Sequence, residues 1–202
     1  MKSTLSSIIC TQLVSLSCGL SGATSTSPIQ QNETPVEFTL PNKLHVSWDE
    51  YNEKTNILAK KIHESGWEFD QVICIARGGM FIGDPLSRLF DKPLAIISAS
   101  SYRADGGTMQ DKLIISKRIA MNTPSLHPRI LLVDDMVDSG VTLREVKKAI
   151  EDQYPEVKEI RTAVIWRKSH TQYEADYIVD EVDGQLWIVQ PFEIYDNMKI
   201  ED

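Results

Sequence analysis

The segment Leu131–Thr142, LLVDDMVDSGVT, decides the fold and most of the site. It continues an apolar run that reads as a buried strand, Arg129–Val133, and delivers two adjacent carboxylates, Asp134 and Asp135. A third carboxylate, Asp138, then leads into a turn of small residues, Ser139-Gly140-Val141-Thr142. That turn opens an amphipathic helix from Thr142 to Tyr154, with Leu143, Val146, Ala149 and Ile150 on its inner face. Carboxylates hydrogen-bond sugar hydroxyls or hold a divalent cation. A small-residue turn at a helix N-terminus cradles phosphate, because unpaired backbone N–H groups and the helix dipole point there. One segment offering both implies a ligand with a sugar and a phosphate side by side.

Outward from this segment, strands alternate with helices. The spacing of Tyr51, Ile57, Leu58, Lys61 and Ile62 predicts a helix over Trp48–Ser65, with Asp49 and Glu50 in its first turn and Gly66 as its stop. Gln71–Ala76 reads as a short buried strand, Arg77-Gly78-Gly79 as a turn, and Ile82–Phe90 as a helix. Strands follow over Pro93–Ser101 and Lys112–Ile119, with an exposed turn at Ala104–Gly107 between them. Further strands are expected at Glu159–Trp166, Tyr177–Val182 and Leu186–Val189. Near-continuous apolar strands alternating with helices predict an α/β fold, a mainly parallel sheet with helices on both faces. In such sheets ligands bind beyond the carboxyl ends of the strands. Arg77, the Asp134/Asp135 pair and Lys168 all fall at strand ends, so they are expected to share one crevice.

Composition narrows the partners. The chain has 202 residues and a net charge of −8, which leaves no overall basic field for a nucleic-acid backbone. No nucleic-acid partner is expected, and an anionic substrate would need local cations or a metal. The three cysteines cannot make a disulfide framework, and Cys74 lies inside an apolar run where a buried thiol is the natural reading. His45, His63, His127 and His170 are scattered without metal-ligand spacing and read as surface or loop residues.

Residues 1–40 differ in kind. Ser and Thr dominate, Lys2 is the only base, and no acid precedes Glu33. Polar interruptions exclude a transmembrane span. The segment reads either as a disordered or mis-started extension or as a cleaved targeting segment. A cytoplasmic location is expected, with targeting by this segment as the alternative. Residues 41–202 form the folded domain in this reading.

A strand ending in V-D-D also resembles the acidic pocket of receiver domains. That pocket closes the first strand of its domain, however, and D-S-G-V-T is foreign to it. LLVDDMVDSGVT more closely resembles the signature of the type I phosphoribosyltransferases, which bind 5-phosphoribosyl-1-pyrophosphate (PRPP). The resemblance implies that Asp134 and Asp135 lie against the ribose hydroxyls, one of them on Mg²⁺ directly or through water. It implies that Asp138, Ser139, Gly140, Val141 and Thr142 form the 5′-phosphate loop. Arg77-Gly78-Gly79, after the strand VICIA, is similar to the family's pyrophosphate loop.

Lys168 after AVIWR, and the later run DEVDGQLWIVQPFE, resemble the xanthine-guanine and hypoxanthine-guanine branch. There Lys168 would donate to a purine 6-oxo group, Trp187 would stack on the base, and backbone groups of Ile188 would meet its edge. Val46-Ser47-Trp48-Asp49 resembles the opening of the bacterial xanthine-guanine enzymes, and Ser100-Ser101-Tyr102 the start of their flexible active-site loop, continuing through Arg103. The resemblance spans Lys43 to Asp196 and also implies a small C-terminal hood over the site and a homo-oligomer, dimer or tetramer. The activity it implies is Mg²⁺-dependent transfer of the phosphoribosyl group from PRPP to a 6-oxopurine, with Asp138 accepting the purine N7 proton. A phosphoribosyltransferase for another base, or a regulator using the donor site as a sensor, are the alternatives.

Overall fold

The computed structural model describes residues 42–102, 112–196 and 198–200. Its central sheet has eight strands: β2 (Gln71–Ala76), β3 (Leu94–Tyr102), β4 (Lys112–Ile115), β5 (Ala120–Met121), β6 (Arg129–Val133), β7 (Met136–Val137), β8 (Glu159–Lys168) and β9 (Tyr177–Val182). The order along the sheet is β4-β3-β2-β6-β8-β7, with β5 on β3 and β9 on β8. Pairs within β3-β2-β6-β8, and those of β7 and β9 with β8, are parallel. Only β4 and β5 run antiparallel, both on β3.

Successive residues of a strand point to opposite faces, and both faces here are apolar. Leu131 and Val133 of β6 pack with Tyr51, Leu58 and Ile62 of α1 (Trp48–Glu64) and with Ile82 and Leu86 of α2 (Met80–Leu89). Their neighbours Ile130 and Leu132 turn the other way, onto Leu143, Val146 and Ile150 of α3 (Val141–Gln153). The predicted doubly covered sheet is therefore the observed one, and it explains why β6 reads as an unbroken apolar run. Among the described residues no helix is long and apolar enough to cross a membrane.

Three details depart from expectation. The buried stripe of α1 is Tyr51, Thr55, Leu58 and Ile62, whereas Ile57 and Lys61 are exposed. Positions spaced 4, 3 and 4 apart stay on one helical face, and 57 and 61 fall beside it. Ser47 fixes where α1 begins: its hydroxyl accepts from Glu50 N–H while the Glu50 carboxylate accepts from Ser47 N–H. The strand expected over 112–119 breaks after Ile115. The Ser116 hydroxyl accepts from Ser98 N–H, and the chain bends at Lys117 and Arg118 before β5 resumes pairing. The expected hood is not purely C-terminal. It is a two-stranded parallel sheet of β1 (Lys43–His45) and β10 (Trp187–Val189), followed by a 3₁₀ helix, Pro191–Asp196. The turn expected at 104–107 lies outside the described residues.

Candidate active site

Three neighbouring parallel strands, β2, β6 and β8, end side by side and carry the functional loops. Arg77-Gly78-Gly79 follows β2, and its first peptide, Ala76–Arg77, is cis. Both glycines are required by crowding from β6. A Cβ at Gly78 would sit 2.5 Å from the Asp135 carboxyl carbon, and one at Gly79 would sit 2.5 Å from the Val133 carbonyl oxygen. The glycines thus bring the backbone of one loop against the carboxylates of the other.

Asp134 and Asp135 follow directly on the carboxyl end of β6, an interior strand of the sheet. Asp134 Oδ1 accepts from Asp135 N–H, and Asp135 Oδ1 accepts from Met136 N–H. The amide of Gln190, a buried residue at the end of the hood, donates to Asp135 Oδ2. Among the described residues neither aspartate forms an ion pair, and burial raises the pKa of both. For Asp134 the adjacent Asp135 charge adds to that rise, and its pKa stands well above the ordinary carboxylate range. Tyr51, buried beneath the pair, has its phenol pKa raised by burial first and then by the two carboxylates.

The turn after Val137 encloses a hollow of about 170 Å³ lined by Asp134, Asp138, Ser139, Gly140 and Thr142. Gly140 caps α3 with φ +79°, and a Cβ there would lie 2.2 Å from that of Tyr173. Gly140 offers α3 no side-chain cap and the first turn carries no acid; apart from Val141 N–H, which donates to the Ser139 hydroxyl at 3.4 Å, the leading N–H groups and the dipole of α3 face the hollow. Val141 is outside the lining and its side chain is exposed, and its backbone N–H donates to the Ser139 hydroxyl.

Lys168 ends β8 and is buried. Its Nζ donates to Leu186 O at 2.6 Å and Gly184 O at 3.3 Å, within the turn before β10. An ammonium has three donors, so two carbonyls fix its direction and leave one donor for a ligand. Trp187 is 51% exposed and lines a crevice of about 790 Å³ with Arg77, Gly78, Phe81, Asp135 and Phe192. The tryptophan is therefore a wall of the crevice and no part of the core. Trp187 N–H donates to Asn42 O and Val189 O accepts from Val46 N–H, so these two residues turn their backbones toward β1. Strand backbone groups alternate, and those of buried Ile188 consequently face the opposite edge.

The structure thus brings Arg77, Gly78, Asp135 and Trp187 around one crevice. Asp134, Asp138, Ser139, Gly140 and Thr142 surround the adjoining hollow, and Lys168 stands behind the Trp187 turn. Ser100 lies near the end of β3, one strand beyond β2. Arg103 and the side chains of Ser101 and Tyr102 lie outside the described residues. Sequence reasoning passed over four participants: Gln190 on Asp135, the stacked pair Phe81–Phe192 (centroids 4.2 Å apart, planes 4°), and His170, whose Nε2 lies 2.8 Å from Asp138 Oδ1. The closely spaced aromatics Trp187 and Phe192 were a usable signal for Phe192. His170 had none, since its contact joins two turns distant in sequence.

An acidic pair beside a glycine loop, with a small-residue turn opening a helix, thus lies at the ends of adjacent parallel strands. Residues 47–197 match the model of the phosphoribosyl transferase domain, and the chain belongs to that family. It is 26% identical over 157 residues to a xanthine-guanine phosphoribosyltransferase of Gluconobacter oxydans, covering 76% of this chain and 88% of that one. Among solved structures, the Helicobacter pylori xanthine-guanine-hypoxanthine phosphoribosyltransferase superposes with TM-score 0.64 at 28% identity, covering 76% of this chain and 96% of that chain. A purine phosphoribosyltransferase from Pyrococcus horikoshii gives TM-score 0.62 at 28% identity, covering 80% and 99%.

Proposed function

We propose that the protein is a purine salvage enzyme that transfers the 5-phosphoribosyl group of PRPP to a 6-oxopurine, releasing pyrophosphate. The observation that carries this reading is the meeting of three loops at the ends of β2, β6 and β8, each suited to one part of the reaction. The 5′-phosphate sits in the hollow at the start of α3, on backbone N–H groups and the hydroxyls of Ser139 and Thr142. The ribose hydroxyls meet Asp134 and Asp135. The pyrophosphate faces the Arg77-Gly78-Gly79 loop, and the purine stacks on Trp187 with its edge toward Ile188 and its 6-oxo group on Lys168.

The C1–oxygen bond to pyrophosphate breaks, the purine N9 lone pair forms the new bond to C1, and the N7 proton passes to Asp138. Positive charge grows on the ribose as the leaving group departs, and the pair Asp134/Asp135 is placed to favour it. Arg77 is exposed, with Asp196 Oδ1 at 3.5 Å as its one side-chain partner among the described residues, and can turn onto the pyrophosphate oxygens.

Asp134 and Asp135 suit Mg²⁺, a hard cation held by one or two carboxylates plus substrate phosphates, and among the described residues no larger cluster of ligands occurs. When bound, the ion would neutralise the leaving pyrophosphate. Chelation with excess EDTA is therefore expected to abolish turnover, and added MgCl₂ to restore it. Undiminished turnover in EDTA would remove the metal from this scheme.

A further inference from the structure

We propose that His170 is a positioning residue for Asp138, holding one carboxylate oxygen so that the other is presented to the purine N7 proton. The inference rests on the reading of Asp138 as proton acceptor. Asp138 is 62% exposed, and His170 is its sole side-chain partner among the described residues, with Nε2 2.8 Å from Oδ1. Without that contact an exposed carboxylate rotates among rotamers, and proton transfer in the transition state needs a defined one.

The imidazole is itself seated. Lys168, Ser169 and His170 all converge on one residue, Gly184. Lys168 Nζ donates to Gly184 O, Gly184 N–H donates to the Ser169 hydroxyl at 3.2 Å, and His170 occupies the space a Gly184 side chain would take. A Cβ at Gly184 would lie 2.4 Å from His170 Nδ1 and 3.2 Å from Cγ. Thr171 N–H closes the turn onto Lys168 O at 3.1 Å. The group assigned to the purine 6-oxo and the group that steadies the proton acceptor are thus two residues apart on one rigid turn. Purine recognition and proton acceptance are held in register through Gly184.

The test is steady-state kinetics of His170→Ala, His170→Gln and Gly184→Ala, alone and combined with Asp138→Asn, with thermal melts to confirm folding. His170→Ala is expected to lower kcat about 10- to 100-fold, the scale of a misplaced catalytic group, with KM for PRPP unchanged. His170→Gln, whose amide can reach the same oxygen, restores most of the loss. Gly184→Ala reproduces the loss by displacing the imidazole, and adds nothing once His170 is Ala. In Asp138→Asn, His170→Ala has no further effect. Should His170→Ala melt, the glutamine and Gly184 variants carry the comparison. Wild-type kcat in His170→Ala, or equal losses with and without Asp138, would overturn the proposal while leaving Asp138 as base. Full turnover in Asp138→Asn would instead overturn the reading of Asp138 itself.

Discussion

Asp138→Asn should lower kcat by about 10²–10⁴-fold, the range a general base contributes, while KM for PRPP stays near that of the wild type. The amide keeps the size and one acceptor oxygen of the carboxylate but cannot take up the N7 proton. In the proposed scheme the donor site is spared because its contacts would come from elsewhere: the leading N–H groups of α3, Ser139, Thr142 and the Asp134/Asp135 pair. Asp138 is an exposed residue at the rim of the hollow, so the fold does not depend on its charge. Pre-steady-state turnover on hypoxanthine, with PRPP affinity measured separately by calorimetry, checks both halves. A variant that turns over at the wild-type rate would remove Asp138 from the proton path.

The second large effect concerns specificity. Lys168→Ala should collapse the preference for 6-oxopurines over adenine, by up to roughly 10⁴-fold in the ratio of kcat/KM. A site built to hydrogen-bond one substrate group rejects its analogue on that scale. Lys168 can do this because its burial and its two bonds to the Gly184 and Leu186 carbonyls aim the remaining donor. Adenine presents an amino group where a donor already stands. The same substitution leaves two partly buried carbonyls without their donor, so a lower melting temperature should accompany it. Paired kinetics on guanine, hypoxanthine, xanthine and adenine report the ratio independently of stability. Unchanged ratios would place base selection elsewhere, with the backbone edge at Ile188 as the next site to test.

The parts of the fold legible in the sequence were those governed by local periodicity. The bounds of β2, β6 and β9 agree with the runs Gln71–Ala76, Arg129–Val133 and Tyr177–Val182; β2 and β6 are apolar from their second residue on and stop at a charge, and β9 stops before Asp183. The parallel sheet followed from their alternation with helices. What was not legible depends on partners far along the chain. The three residues of β1 carry no apolar pattern and exist as a strand because β10 pairs with them. The two residues of β7 pair with β8 only because Asp135 has redirected the chain, its carbonyl accepting from Ile165 N–H. Ile57 misled the helix reading because an exposed isoleucine looks the same in sequence as a buried one.

The site divided along the same line. The carboxylates Asp134, Asp135 and Asp138 and the turn that follows them could be read together, since one segment, Leu131–Thr142, contains them. Their second partners could not. Gln190 reaches Asp135, and His170 reaches Asp138, across separations set by tertiary structure. Such partners leave no spacing for a sequence reading to detect. They also determine how rigidly the carboxylates are held.

The central claim is the transfer of a phosphoribosyl group to a 6-oxopurine, and the most direct measurement is product formation from PRPP and Mg²⁺ with each of guanine, hypoxanthine, xanthine and adenine. Nucleotide and pyrophosphate should appear in equal amounts with at least one 6-oxopurine, and adenine should give none. Equal turnover of adenine, or no nucleotide from any of the four bases, would contradict the account.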